Sequence, residues 1–465
     1  MLKHFLVVLL LPLALEAQRN DTHALQRSIL KELVEINTSD SAGHASDAAR
    51  AMQARLLAAG FSREDAQLVG PSPKQMCLVA RLRGGSNRNL KPLLMIAHLD
   101  VVDARREDWT TDPYTLVEKD GWFYGRGTLD DKQGDAILVS SLIRFKREGL
   151  VPDRDIVVLL TIDEETTSNS IQWVIANKRD LIDAEYALNA DAGDGEIRDG
   201  KPVSLALQTA EKVYITYEME VKSKGGHSSL PEPGNAIYRL SKALDRLAAY
   251  QFPVRLNETT RASLEKGAAT QLPKIAADMR AVAHTGDPSA AKRLSAIAAF
   301  NATLRSTCVA TRLTAGHADN ALPQSAKATV NCRLLPDENV EKVTAQLNRV
   351  VADTGVRVRI SDPAVPSPPS PLRPDVVGAV TMLASKYWPG VTVIPQMSAG
   401  ATDGLYLRNA GIPVYGTSAI FDRIDDNRMH GKDERINLSG FYAAADYWYE
   451  LLRTLTSPIA RNLGK

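Results

Sequence analysis

The apolar pattern of this chain changes its period twice, and those changes limit the folds open to it. Up to about residue 210, helical spacing (Ala24, Leu25, Ile29, Leu33, Ile36; then Ala136 to Phe145, ending at Gly149) alternates with strand-like runs at Met76 to Leu82, Leu93 to Ala97 and Asp155 to Ile162. Alternation of that kind builds a largely parallel or mixed sheet sandwiched by helices. From Tyr214 the order becomes a strand (Tyr214 to Val221), a helix (Ile237, Leu240, Leu244, Leu247) and a long helical and polar stretch. Two strands follow (Thr307 to Leu313, Ala326 to Leu334), then a helix (Val340, Val343, Leu347, Val350) and a strand (Val356 to Ile360). Strand, helix, strand, strand, helix, strand is the ferredoxin-like order of a compact α+β domain. Prolines at 363, 366, 368, 369, 371 and 374 stop either regular structure. Beyond Asp375 the α/β pattern resumes, with a helix through Val380 and Leu383, a strand near Ile412 to Tyr415, and a closing helix through Tyr442, Trp448 and Leu452.

A chain of 465 residues exceeds one ordinary core. The pattern predicts a targeting segment over 1–17, the first part of an α/β domain over 18–210, and an inserted domain over 211–362. A linker and the second part of the α/β domain fill 363–465. In the first segment Lys3 and His4 precede the apolar run Phe5 to Leu15, and Ala17 suits a cleavage site. That run is too short for a stable membrane span, so the chain is expected to be exported, periplasmic or secreted, with an uncleaved anchor as the alternative. Lys and Arg total 56 against 55 Asp and Glu, a formal charge of +1, and no basic stripe occurs, which argues against a nucleic-acid partner. Of three cysteines, Cys308 and Cys332 lie in the two strand-like runs that could pair antiparallel around Asn320. In an oxidising compartment they could form a bridge; free thiols are the alternative.

The chemistry lies in acids and imidazoles spread over more than three hundred residues: His98-Leu99-Asp100, Asp130-Asp131, Asp163-Glu164-Glu165, Asp191 and His430. Most end a strand-like run, where an α/β sheet presents side chains to a ligand. Imidazole and carboxylate suit a divalent ion such as zinc, and two ions sharing a carboxylate sit roughly 3.5 to 4 Å apart. The count of donors meets that need. Asp100, two residues beyond His98 on an extended segment, is placed to orient the imidazole.

These residues resemble a known family. His98-Leu99-Asp100-Val101-Val102, Tyr124-Gly125-Arg126-Gly127-Thr128-Leu129-Asp130-Asp131-Lys132, Asp163-Glu164-Glu165, Gly225-Gly226-His227-Ser228-Ser229-Leu230-Pro231, Asn320-Ala321-Leu322-Pro323, Asn331-Cys332-Arg333, Gly400-Ala401-Thr402-Asp403 and Met429-His430-Gly431-Lys432-Asp433-Glu434 look like the co-catalytic zinc hydrolases related to aminoacylase, carboxypeptidase S and carnosinase. The resemblance implies an α/β, mixed-sheet catalytic domain with an inserted ferredoxin-like lid that can carry a homodimer contact. It implies two zinc ions, or Co2+ or Mn2+ in their place, bridged by Asp130. His98 and Asp191 would hold one ion, Glu165 and His430 the other, and Glu164 would act as general base. A cis peptide at Asp130-Asp131 is a further implication. His227 would stabilise the tetrahedral intermediate; Asn320, Arg333 and the backbone at Gly400 would hold substrate. Arg333 could instead serve a strand salt bridge, and Gly400 a turn. One departure is that Thr166-Thr167-Ser168-Asn169-Ser170 stands where relatives are Gly-rich.

Three functions are consistent with these residues. The first is an exopeptidase cutting dipeptides, or the C-terminal residue of short peptides, through a metal-bridging hydroxide. The second is an amidohydrolase of N-acyl amino acids, which present the same scissile amide. The third is an inactive homologue that binds peptides, against which the retained Glu164 argues, since a binding module needs no proton-transfer carboxylate.

Overall fold

The computed structural model describes residues 2–85 and 90–457, with side chains described from residue 19. The expected targeting segment over 1–17 therefore lies outside the residues whose side chains are described. Among the described residues no helix is long and apolar enough to cross a membrane. The chain divides into two compact units, one of Met1–Thr209, Ser370–Pro395 and Thr402–Lys465, the other of Ala210–Pro369 with Gln396–Ala401.

The first unit is the expected α/β domain. Its ten-stranded sheet runs in the order Ala66–Ser72, Gln75–Leu82, Ile156–Thr161, Leu93–His98, Tyr186–Asn189, Val414–Gly416, Lys201–Glu211, Gly195–Arg198, Phe421–Arg423, with Thr392–Ser398 paired to Lys201–Glu211. The centre is parallel: Leu93–His98 pairs parallel with both Ile156–Thr161 and Tyr186–Asn189, and the latter with Val414–Gly416. All six residues of Leu93–His98 and of Ile156–Thr161 are buried. Strands covered on both faces have no use for alternation, which is why they read as unbroken apolar runs. Helices Lys132–Arg147 and Leu438–Leu455 join the same core through Ile137, Leu142, Phe441 and Trp448.

The second unit contains a four-stranded antiparallel sheet in the order Thr307–Ala315, Ser325–Leu334, Val213–Lys222, Val356–Asp362. Numbered along the chain that order is 2-3-1-4, the ferredoxin-like arrangement. Helices Ala236–Ala249 and Val340–Val351 close its core through Leu240, Leu247, Val343 and Leu347. Cys308 stands opposite Cys332 in the register and is bonded to it. The stretch read as helical and polar holds four helices, Glu258–Gly267, Pro273–Thr285, Pro288–Leu294 and Ala298–Leu304, packed around a core of their own.

Candidate metal centre

Parallel strands that share a direction deliver their carboxyl ends to one edge of the sheet, and that edge gathers residues distant in sequence. His98 ends its strand; Asp163, Glu164 and Glu165 follow the strand on one side, and Asp191 follows the strand on the other. Asp130 comes from the turn ahead of helix Lys132–Arg147, across the cis peptide Asp130-Asp131. His430 comes from the loop before Arg435–Asn437 and has a positive φ of 59°.

Asp130 lies between two imidazoles. Its Oδ1 is 2.9 Å from His98 Nε2 and its Oδ2 is 2.9 Å from His430 Nε2. His430 Nε2 is also 2.9 Å from Glu165 Oε1, and His98 Nε2 is 3.7 Å from Asp191 Oδ1. The donors thus form two groups, His98 with Asp130 and Asp191, and Asp130 with Glu165 and His430, each with its atoms within 4.8 Å of one another. All five residues expected to be ligands are brought together, with Asp130 common to both groups.

Donor chemistry and charge both fit a pair of divalent cations. Imidazole nitrogen and carboxylate oxygen suit zinc and its neighbours, and a shared carboxylate is what a two-metal site uses. The acids of the centre are buried close to one another, and that crowding shapes their electrostatics. Burial pushes Asp191 up to about 7 against the charge and hydrogen bond of His98, and burial together with the charge of Asp191 pushes Glu164 well above the usual carboxylate range. Burial also opposes ionisation of Asp130, yet hydrogen bonds from His430 and His98 outweigh it and hold Asp130 below the ordinary range. A cation in each group would stabilise the anions directly.

The supporting residues set the orientation. His98 Nδ1 donates to the main-chain oxygen of Asp100 at 3.0 Å, leaving Nε2 to face the group. The Asp100 carboxylate is 3.6 Å from the same nitrogen and does something else at closer range. Its oxygens accept the main-chain N–H of Glu164 and Glu165, at 3.1 and 3.0 Å. Asp163 folds the segment that departs from the Gly-rich pattern: it accepts from Thr167 Oγ1 at 2.7 Å, from the N–H of Asn169 at 2.9 Å and from that of Ser170 at 3.0 Å.

Two residues quoted in the motifs, but not given a role there, also belong to the centre. Arg126 and Glu434 are both buried and meet at 2.5 Å. Glu434 also accepts the N–H of Leu129, next to Asp130, at 2.6 Å, while Arg126 donates to the carbonyl of Gly431, next to His430, at 3.0 Å. Their signal was present only as unlike charges in two motif strings, 308 residues apart, which no local pattern pairs.

The four expected substrate residues lie in the second unit and fall into two local groups. Gly226–His227 pairs with Ala321–Leu322, and the N–H of Ser228 donates to the carbonyl of Asn320 at 3.0 Å. His227 Nδ1 accepts the main-chain N–H of Ser229 at 3.2 Å and lies 2.7 Å from Ser229 Oγ, which leaves Nε2 to carry the ring proton. Arg333 donates to the carbonyl of Ala399 at 2.8 Å and lies over the Tyr214 ring, while the N–H of Gly400 donates to Ser398 Oγ. Arg333 therefore sits beside Gly400, with no carboxylate as its hydrogen-bond partner among the described residues.

Residues 94–454 match the model of peptidase family M20/M25/M40. The human N-fatty-acyl-amino acid synthase/hydrolase PM20D1 is 28% identical over 379 residues, covering 79% of this chain and 75% of its own length. A probable carboxypeptidase S-like 2 of Dictyostelium discoideum is 27% identical over 379 residues, with 79% and 72% covered. Among solved structures, an M20 metallo-carboxypeptidase of Sulfolobus solfataricus superposes with a TM-score of 0.69 at 19% identity, covering 93% of this chain and 99% of that one. Human carnosine dipeptidase 1 does so with a TM-score of 0.64 at 16% identity, with 95% and 98% covered.

Proposed function

The chain belongs to peptidase family M20/M25/M40, and from that premise we propose that it hydrolyses the amide bond of N-acyl amino acids at a pair of zinc ions. At the coarser level it is a hydrolase of that family, a peptidase or amidohydrolase with a metal-binding centre. The observation that carries the two-metal part of this reading is the sharing of Asp130 by two donor groups. His98 and Asp191 would complete one ion's ligands, Glu165 and His430 the other's.

When bound, two such ions supply Lewis acidity for the amide carbonyl and lower the pKa of a water from about 15.7 towards roughly 7. Glu164, whose carboxyl burial has made more basic, accepts the proton of the attacking water and returns it to the departing amine. Asp100 fixes the backbone from which Glu164 projects. His227 would donate from Nε2 to the developing oxyanion. Arg333, with a planar fork of donors, would take the carboxylate of the amino acid, and Asn320 and the backbone at Gly400 would hold the rest of the substrate.

N-acyl amino acids are placed first because the human relative is named an N-fatty-acyl-amino acid synthase/hydrolase. That reverses the order in which the residues alone put the two substrates. Dipeptides and short peptides form the second reading, supported by the carboxypeptidase S-like relative. Export belongs to the same proposal; the N-terminal apolar run and the Cys308–Cys332 bridge, typical of oxidising compartments, support it.

The test is hydrolysis by metal-loaded protein of a series from N-acetyl to N-dodecanoyl amino acids, beside dipeptides and tripeptides, with products identified by mass. Cleavage of the acyl series, abolished by chelator and by Glu164→Gln, is the expected result. Reaction with free-amine dipeptides alone would exclude the acyl reading. No reaction with any substrate would leave the inactive binding homologue.

A further inference from the structure

The helices between Glu258 and Leu304 border, with the extended segment that follows Ala249, an open cavity of about 650 Å³. Small-molecule sites span about 300 to 1,000 Å³ and combine apolar walls with few placed polar groups. The walls here are of that kind, with Phe252, Leu256, Val282 and Pro288 among them. Its charged lining is of one sign: Arg305, Arg261 and Lys292, with no Asp or Glu.

Arg305 is the informative residue. It is 8% exposed, donating from one Nη to Gln251 Oε1 at 2.9 Å and from the other to Ser295 Oγ at 2.8 Å. Both partners are neutral, Nε has no partner, and among the described residues no carboxylate pairs with this guanidinium. Buried guanidinium groups are ordinarily paired with an anion, because desolvation penalises an uncompensated charge. Burial accordingly holds its pKa below the usual arginine value. The other two cations of the lining, Lys292, which is exposed, and Arg261, which donates to the carbonyl of Ala283, add positive charge there and no counter-ion.

We propose that this cavity is a binding site for an organic carboxylate with an apolar body. The carboxylate accepts from the Nη hydrogens of Arg305 that Gln251 and Ser295 leave free, and the hydrocarbon lies against Phe252, Leu256 and Val282. Lys292 adds positive potential at the cavity. None of these residues is a proposed metal ligand or substrate residue, and the site does not depend on which amide the enzyme cuts. Free fatty acids and N-acyl amino acids share this chemistry.

The test is calorimetric titration of full-length, metal-loaded protein carrying Glu164→Gln, so that no ligand is consumed. Dodecanoate, N-dodecanoylglycine and dodecanol are the probes. Arg305→Gln added to this background is expected to weaken dodecanoate binding at least about tenfold, the scale of a lost charged hydrogen bond, and to leave dodecanol unchanged. Val254→Phe, which fills part of the cavity, should weaken both. Because N-dodecanoylglycine also enters the proposed active site, the larger loss of affinity on Arg305→Gln, compared between dodecanoate and N-dodecanoylglycine, identifies the source of the carboxylate. Dodecanoate affinity within about twofold of the parent in the folded Arg305→Gln protein overturns the proposal. Should that variant not fold, an unchanged dodecanoate affinity in Val254→Phe overturns it equally.

Discussion

The carboxylate of Asp100 accepts the main-chain N–H of Glu165 at 3.0 Å. Its other oxygen accepts that of Glu164 at 3.1 Å, so one side chain fixes both the proposed base and a proposed ligand. An amide in its place retains one acceptor and turns a donor on the second N–H. Asp100→Asn is therefore expected to lower kcat/KM by about 10- to 100-fold, the usual range for residues that orient metal ligands, with little change in KM. Steady-state kinetics with metal analysis reads this; unchanged kcat/KM would sink the role.

Glu164 and Glu165 are neighbours with different tasks, and substitution should separate them. Glu164→Gln removes proton transfer, worth about 10²- to 10⁴-fold in kcat, while both ions stay bound. Glu165→Gln removes a ligand from the group that holds His430 and should reduce the metal content towards one ion per chain. Elemental analysis after dialysis distinguishes the two. Equal metal loss in both variants would contradict the separation.

The legible part of the centre was what one strand can announce. Leu93 to Ala97 is unbroken and apolar because the strand has neighbours on both faces and both sides, so His98 at its end stood out. The role of the Asp100 carboxylate was not legible, because it depends on Ile156–Thr161 being the adjacent strand, which only the folded sheet decides. The same holds for Arg126 and Glu434. The strands Gly195–Arg198 and Lys201–Glu211 were missed, and Arg305 was hidden in a stretch read only as helical and polar, since a charged residue carries no sequence mark of burial. The ferredoxin-like block was legible because the two central strands, Val213–Lys222 and Ser325–Leu334, pack one face against two amphipathic helices, although Thr307–Ala315 is largely exposed.

The pH behaviour follows from the two rings. Without a cation, burial opposes the His98 imidazolium, but the charge of Asp191 and hydrogen bonds with Asp100 and Asp130 hold it charged well above its ordinary range. Hydrogen bonds with Asp130 and Glu165 push His430 up to about 10. A raised pKa means that the folded metal-free protein keeps protons the unfolded chain has released. The contribution of His430 to metal-free stability is thus complete below about pH 6.5 and lost as pH rises towards 10. Metal must displace these protons, so loading near pH 8 is expected to release about two per chain, and affinity should climb with pH. Calorimetry in buffers of different ionisation heat counts them; a count near zero would exclude the rings as ligands.

The Cys308–Cys332 bridge joins residues 24 apart in sequence. Closing a loop of that size restricts the unfolded chain by about 3 kcal/mol. Cys308→Ser with Cys332→Ser should lower the unfolding free energy by that order in urea titration. Denatured, unreduced protein should react at one thiol, that of Cys77; three would mean the bridge does not form.

The Arg126–Glu434 pair ties the two ends of the centre, since Glu434 also holds the N–H beside Asp130 and Arg126 the carbonyl beside His430. His430 keeps a left-handed backbone that a non-glycine residue adopts only when its surroundings impose it. Asp433 adds a second tie by accepting from the N–H and hydroxyl of Thr110, at 2.8 and 2.9 Å. Removing one partner of a buried ion pair leaves the other uncompensated, a loss of about 3 to 5 kcal/mol. Glu434→Gln keeps an acceptor for the N–H of Leu129 and should fall at the low end of that range, whereas Arg126→Leu should reach its top. If the pair also positions His430, then Glu434→Gln lowers metal affinity in the Glu165 and His430 group more than in the His98 group. Stepwise metal titration against melting temperature reads both effects. A fall in melting temperature with two unaltered metal affinities would confine the pair to a structural role.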